Sequence, residues 1–452
     1  MTTLYCARWV LPVSSPPIND GAIAVAGEHI TAVGNRLSLA EEFSQARVCE
    51  FGEAAIIPGL INAHSHLELT AMRGFLDAEE ADFLAWLKKL TVARLERMTR
   101  DELYVSAAWG ACEAARAGVT CVADASDSAY ESMSALRDVG LRGIVFQESF
   151  GPDPRLVADN FEKLRSKVSR LRDLETPLVR AGVSPHAPYT VCAPQLELIS
   201  DFALTEKLPL LMHAAESVAE DLFMREGRGP FAEGLASRGI DWRAPGGSTI
   251  QYLNNHGVLR TRPLLAHCIN VDGADIETIE KTGTKVAHCP KSNAKLGHGR
   301  APFAAFLDNG IAVGLGTDSV SSNNTCDLLE ESRFAILFSR AGANLAGERR
   351  LLSAHDAFCT ATLRGARALG LESHVGELKE GLQADFAVVS LNGTHQLPSY
   401  DPTNALVFAS SGRDVILTVV AGREVYREGR VTTIDEERLR ARLKEIAAKL
   451  RV

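Results

Sequence analysis

Ile56-Ile57-Pro58-Gly59-Leu60-Ile61-Asn62-Ala63 is an apolar run that closes on His64-Ser65-His66. Seven more short apolar runs follow: Val119–Ala125, Gly143–Glu148, Val179–Ser184, Leu208–Met212, Leu264–Ala266, Lys285–Ala287 and Ile311–Gly316. Helical periodicity fills most of the gaps, as in Arg100–Arg116, Leu156–Leu174, Ala193–Thr205 and Ile276–Thr282. Eight strand-then-helix units in about 300 residues predict an α/β fold, a (β/α)8 TIM-like barrel. An open doubly wound sheet shares the alternation; the unit count favours the barrel. A last helix, begun by Ser353 with Asp356 three residues on, is expected to run to about Leu369.

Both ends of the chain carry hairpin grammar instead. Ala22–Ala26, a Gly27-Glu28 turn and His29–Val33 form one pattern. Asp385–Val389, Val415–Val420 and Glu424–Tyr426 form its counterpart, followed by a charged helix from about Asp435 to Arg451. The division expected is residues 1–57 and 371–452 as two parts of one small composite β-sandwich, with residues 58–370 as the barrel.

Composition narrows the class. Of 452 residues, 46% are hydrophobic, enough for a large core. A net charge of −9 gives no footprint for nucleic acid or an anionic membrane. Nine scattered cysteines with no C-x-x-C pair fit reduced thiols better than a disulfide framework. No apolar run approaches the ~20 residues of a membrane span, and the first residues lack a signal-peptide core. A soluble cytoplasmic protein acting on a small molecule is expected.

The chemistry is read from what closes the runs. In a strand, positions i and i+2 face the same side, so His64 and His66 can chelate one ion. The fifth run ends in His213-Ala214-Ala215-Glu216, the sixth in His267 and the eighth in Thr317-Asp318-Ser319. Each alone reads more simply as a core histidine or a helix cap. Together they place ligand chemistry at four strand C-termini, where a barrel carries its active site. His64, His66, His213 and Asp318 are the suggested ligands for one divalent metal, Zn²⁺ with Fe²⁺ as the alternative. Glu216, three residues beyond a ligand, suits an acid/base role. His66-Leu67-Glu68 mimics the H-x-E of small zinc deaminases, but the required P-C-x-x-C is missing. Walker A, G-x-G-x-x-G, G-x-S-x-G and H-E-x-x-H motifs are missing too.

Taken in order, Pro58–His66, Ser184-Pro185-His186-Ala187-Pro188-Tyr189, His213–Glu216, Ala266-His267-Cys268, His288–Asn293 and Gly316–Ser319 resemble the amidohydrolase superfamily. The order is similar to that of its aminohydrolase/chlorohydrolase branch, which includes S-adenosylhomocysteine/methylthioadenosine, aminofutalosine and guanine deaminases and triazine hydrolases. Gly376–Asp385 resembles the family's return into its small β-domain. The resemblance implies one metal, since the region Arg180–His186 lacks the lysine of binuclear members. It implies hydrolytic deamination of an aromatic heterocycle, most closely a 6-aminopurine nucleoside. It also implies roles: Asp318 accepts a proton from water, Glu216 protonates a ring nitrogen, and His267 hydrogen-bonds the attacking oxygen. Homo-oligomers are common among such relatives.

For the substrate, the resemblance assigns His186 a ribose contact. A ribose-gripping glutamate expected after the first strand falls, counted from Trp86, at Leu95, with Glu96 adjacent. Glu148 is a second candidate contact; a salt-bridge role is its simpler reading. Trp86 is read as helix packing or as a stacking wall, His288 as a wall residue beside Asn293. The segment between Glu216 and His267 is either a surface excursion or a lid. Cyclic-amide ring opening, hydrolytic dehalogenation and a non-catalytic scaffold are the rival functions.

Overall fold

The computed structural model describes residues 2–342 and 351–451. The amino-terminal strands are β1 (Thr2–Val10), β2 (Ile18–Ala26), β3 (His29–Asn35), β4 (Arg47–Glu50) and β5 (Ala54–Pro58). Eight strands follow at the centre: β6 (Leu60–Ser65), β7 (Val119–Ser126), β8 (Arg142–Ser149), β9 (Val179–Pro185), β10 (Leu211–Ala214), β11 (Leu264–His267), β12 (Lys285–His288) and β13 (Val313–Leu315). The carboxy-terminal strands are β14 (Phe386–Ser390), β15 (Val415–Val420), β16 (Arg423–Arg427) and β17 (Arg430–Val431).

The central eight form two parallel four-stranded sheets, β6-β7-β8-β9 and β10-β11-β12-β13. Single parallel bridges, Val183 to Leu210 and Ser65 to Asp318, join them at both seams and close the barrel. Every residue of β6, β7 and β8 is buried, the signature of parallel strands covered on both faces. The helices that cover them are well begun: Thr99 and Glu102 form a reciprocal capping box for Arg100–Arg116.

The terminal strands make one continuous nine-stranded sheet, ordered β17-β16-β15-β14-β5-β1-β2-β3, with β4 against β1. β5 and β14, from opposite ends of the chain, pair antiparallel from Pro58–Phe386 to Ala54–Ser390. Tyr5, Ile23, Ile56, Phe386, Val388 and Leu417 pack one face of this sheet. No helix among the described residues is long and apolar enough to cross a membrane.

Two expected elements are divided. The run from Ile56 to Ala63 is β5 plus β6, broken at Gly59. The Gly59 N–H donates to the Asp385 carbonyl at 2.9 Å. A side chain there would place its Cβ 2.0 Å from Thr120 Oγ1, so the crossing into the barrel needs glycine. The helix begun by Ser353 breaks into Ala354–Thr360 and Leu363–Leu369. At the break the Ala361 carbonyl accepts from the Ile61 N–H of β6 at 2.8 Å, a bond that helps tie the helix to the barrel.

Candidate metal centre and cavity

The predicted ligands meet at the C-terminal mouth of the barrel. His66 Nε2 lies 3.2 Å from His213 Nε2. Asp318 Oδ1 lies 3.4 Å from His64 Nε2 and 3.5 Å from His66 Nε2. His213 donates through Nδ1 to the His186 carbonyl at 2.9 Å, which leaves Nε2 as a lone-pair donor aimed at the cluster. Neither His64 ring nitrogen has a hydrogen-bond partner, although the side chain is fully buried. Two donors ~2.0–2.1 Å from a shared ion, at tetrahedral angles, stand roughly 3.3 Å apart. Three imidazoles and a carboxylate at these separations fit one divalent cation.

Electrostatics favour the same reading. Burial, reinforced by neighbouring His64, pushes the His66 imidazole down to about 3. Burial holds His213 well below the usual histidine range. Both stay neutral, the form that binds a metal. Burial alone would raise the Asp318 carboxyl, but contact with His64 and the other imidazoles outweighs it and holds the group well below the carboxylate range.

Four non-glycine residues at these strand ends are left-handed: Ala215 (φ +52°), His267 (φ +75°), Cys268 (φ +46°) and Asp318 (φ +57°). Such conformations cost roughly 1–3 kcal/mol each and persist where surroundings enforce them. Here the Asp318 N–H donates to the His64 carbonyl at 2.9 Å, locking the seam strands together. Gly316, just before it, is pressed against β6: a Cβ there would meet both Cys289 Sγ and the His64 Cβ at 2.9 Å.

Glu216 and His267 face each other beside the cluster, with Oε1 3.6 Å from Nε2. The other ring nitrogen of His267, Nδ1, pairs with Asn293 Oδ1 at 2.9 Å. Burial opposes charge on His267, yet the Glu216 and Asp318 carboxylates raise its pKa overall. His298, whose neighbours Gly297 and Gly299 gave no sequence signal, brings Nε2 to 3.7 Å from Glu216 Oε1. His288 stands apart from the ligands: its ring packs on Phe303 at 4.9 Å, and burial lowers it to about 3.

The cluster forms the polar end of a cavity of about 450 Å³. Leu69, Phe83, Trp86, Leu87 and Leu90 make its apolar wall. Trp86 is 5% exposed, stacks with Phe83, and has a buried indole N–H without a partner. His186 lines the cavity with its ring on Phe150 at 4.7 Å and Nδ1 2.9 Å from Thr190 Oγ1. Burial pushes His186 to about 3.

At the position where a glutamate was expected stands Leu95, at the cavity rim and 61% exposed, and Glu96 is exposed as well. Arg94, one residue earlier, turns inward. Its guanidinium reaches Glu68 (3.1 Å), Asp127 (3.6 Å) and Glu148 (3.7 Å). Glu148 is therefore both a salt-bridge partner and a cavity residue. Its Oε1 has no hydrogen-bond partner and lies 3.9 Å from His66 Nδ1. Burial, only partly offset by Arg94, raises its carboxyl to about 8. The segment after Glu216 contributes Arg238 to the cavity and stacks Phe231 on Tyr189 at 3.9 Å, so part of it covers the site.

Comparison with known proteins finds similar chains. The model of the amidohydrolase family matches residues 55–425. A 5-methylthioadenosine/S-adenosylhomocysteine deaminase of Syntrophobacter fumaroxidans is 32% identical over 434 residues, 95% of this chain and 93% of that protein. The protein of the same name from Pyrococcus furiosus is 31% identical over 443 residues, 96% of each. An adenosine deaminase structure from Xanthomonas campestris, with bound zinc, aligns with a TM-score of 0.85 at 25% identity, covering 99% of this chain and 98% of that one.

Proposed function

Since the chain belongs to the amidohydrolase family and is a metal-dependent deaminase, acting on carbon–nitrogen bonds of a nucleoside-like substrate, we propose that its substrate is a 6-aminopurine nucleoside of the adenosine/S-adenosylhomocysteine or aminofutalosine type. One observation carries the reading: His64, His66, His213 and Asp318 converge beside Glu216 and His267 at the polar end of a cavity whose other wall is apolar. An aromatic base fits the apolar wall, and its amino-bearing carbon faces the polar end.

The four residues would hold one ion, Zn²⁺ in our reading. When bound, it lowers the pKa of its water towards neutrality. Asp318, whose Oδ2 is held by Ser292 and Ser322, would be the base that accepts a proton from the attacking water. Glu216, in its acid form, protonates the ring nitrogen next to the attacked carbon as aromaticity is lost. His267, protonated on both ring nitrogens beside the Glu216 and Asp318 carboxylates, directs Nδ1–H to Asn293 and donates Nε2–H to the attacking oxygen. The proton held by Asp318 passes to the amino group, which leaves as ammonia, while the hydroxyl proton returns to Glu216 as the ring carbonyl forms. Trp86 walls the base, while His186 and Glu148 contact the sugar. Glu148 supplies the carboxyl group that Leu95 cannot.

The test is ammonia release from the metal-loaded protein against adenosine, methylthioadenosine, S-adenosylhomocysteine, aminofutalosine, guanine, pterins, cytosine and aminotriazines. Fast turnover of a 6-aminopurine nucleoside supports the proposal. Silence on all nucleosides with metal bound overturns it and turns the search to cyclic-amide or halogenated substrates.

A further inference from the structure

Glu220 lies four residues beyond Glu216, is fully buried, and plays no part in the mechanism above. The Ser217-x-x-Glu220 spacing has the form of a helix capping box, in which the glutamate would reach back to the Ser217 N–H. It reaches further. Oε1 accepts from the Ala215 N–H at 2.8 Å, and Oε2 accepts from the Glu216 N–H at 2.9 Å. Thr249 adds its hydroxyl to Oε1 at 2.8 Å. A buried carboxylate is costly unless fully hydrogen-bonded, and here three donors converge on it.

The two backbone bonds flank the left-handed Ala215 (φ +52°). From the other side, the Ala215 carbonyl accepts from Ile269 (2.8 Å) and Asn270 (2.9 Å), just past His267. The turn that aims Glu216 is thus clamped between one side chain and the strand end bearing its partner histidine. Thr249 belongs to helix Thr249–Asn255, so the clamp also ties the segment covering the cavity to that turn.

We propose that Glu220 is the positioning residue for Glu216, and that the 217–266 segment bears on catalysis through the Thr249–Glu220 contact. The inference rests on the acid role of Glu216 given above. Only a two-oxygen acceptor satisfies the pattern. In Glu220→Gln, the oxygen that keeps the Ala215 and Thr249 donors leaves an NH₂ facing the Glu216 N–H, donor against donor.

The experiment is a cycle of E216Q, E220Q and the double variant, on the fastest nucleoside of the panel above. Misplacement of a reacting group by about 1 Å costs on the order of 10²-fold. E220Q is therefore expected to lose about that factor in kcat, with KM and bound metal nearly unchanged. Hydrogen exchange in the peptide spanning residues 213–220 should quicken selectively. In the E216Q background the second change should add no further loss, because both act through one group. Losses that multiply place Glu220's effect elsewhere and overturn the proposal. Near-normal turnover of E216Q alone instead overturns the role of Glu216, a separable failure. Should E220Q not fold, Thr249→Val removes one donor and spares both backbone bonds. A several-fold fall in kcat at constant KM then supports the clamp, and an unchanged kcat overturns it.

Discussion

Ser292 Oγ lies 2.5 Å from Asp318 Oδ2, while the other oxygen of the same carboxylate faces His64 Nε2 at 3.4 Å. One residue from the short helix after β12, Pro290–Lys295, thus decides which Asp318 oxygen remains for the ligand cluster. Ser322 seconds it at 3.0 Å. Partners that orient a ligand typically govern metal affinity by 10–100-fold. Ser292→Ala is expected to weaken metal binding by about that factor, measured by chelator competition, with little change in the melting point of the metal-free protein.

Glu216→Gln keeps the shape of the side chain and removes its acid function. General acid catalysis contributes roughly 10²–10⁴-fold. The variant should lose turnover within that range while retaining stoichiometric metal, as read by ammonia release and elemental analysis.

Protonation of His66 or His213 should not release the metal in mild acid. Burial holds His66 at about 3 and His213 well below the histidine norm, so protons do not compete for these nitrogens near pH 5. Metal per chain after dialysis at pH 5 should match that at pH 8. Stripping the ion with a chelator should lower the melting temperature, since a ligand at a thousand times its Kd stabilises by about 4 kcal/mol.

Glu331 gives stability a pH dependence of its own. It is fully buried, accepts hydrogen bonds from the Lys291 N–H and from Asn323, and burial raises its carboxyl to about 8. The folded chain therefore keeps a proton that the unfolded chain has released. The stabilisation is complete below the ordinary glutamate pKa and is lost as pH rises through about 8, at up to about 1.4 kcal/mol per pH unit. Glu331→Gln should flatten the fall in urea midpoint between pH 6 and 8.

Arg94 lies 3.1 Å from Glu68 and 3.7 Å from Glu148, two carboxyl groups that are almost wholly buried. Arg94→Met removes the cation while keeping the stem. Breaking a buried pair from one side costs about 3–5 kcal/mol. Chemical denaturation should show a loss of that size, and KM should rise because Glu148 loses its anchor.

The sequence made the barrel legible because its strands are buried on both faces and appear as plain apolar runs. It made the histidine and aspartate cluster legible because each of its proposed ligands closes such a run. The same uniform burial hid the break at Gly59: β5 and β6 are equally apolar, and the break shows only in the Gly59–Asp385 bond and the lack of room for a side chain beside Thr120. Side-chain direction was the other blind spot. Whether Arg94 or Leu95 turns inward depends on the path of Ala93–Arg97, a π-helical turn in which ordinary helical spacing fails. His298 and Glu220 were missed for a related reason. Their partners are set by loop geometry rather than by any period.

The pairing of β5 with β14 has a consequence for how the protein is made. Strand β5 leaves the ribosome just before β6 and the first two histidines. Its partner, β14, is translated roughly 330 residues later. At ~5–20 residues per second, that edge waits roughly 15–65 s in the nascent chain. Its apolar strand Ala54–Pro58 is open to mispairing throughout that interval. A message cut short before codon 386 would yield a polypeptide that holds every proposed ligand and lacks the strand that shields this edge.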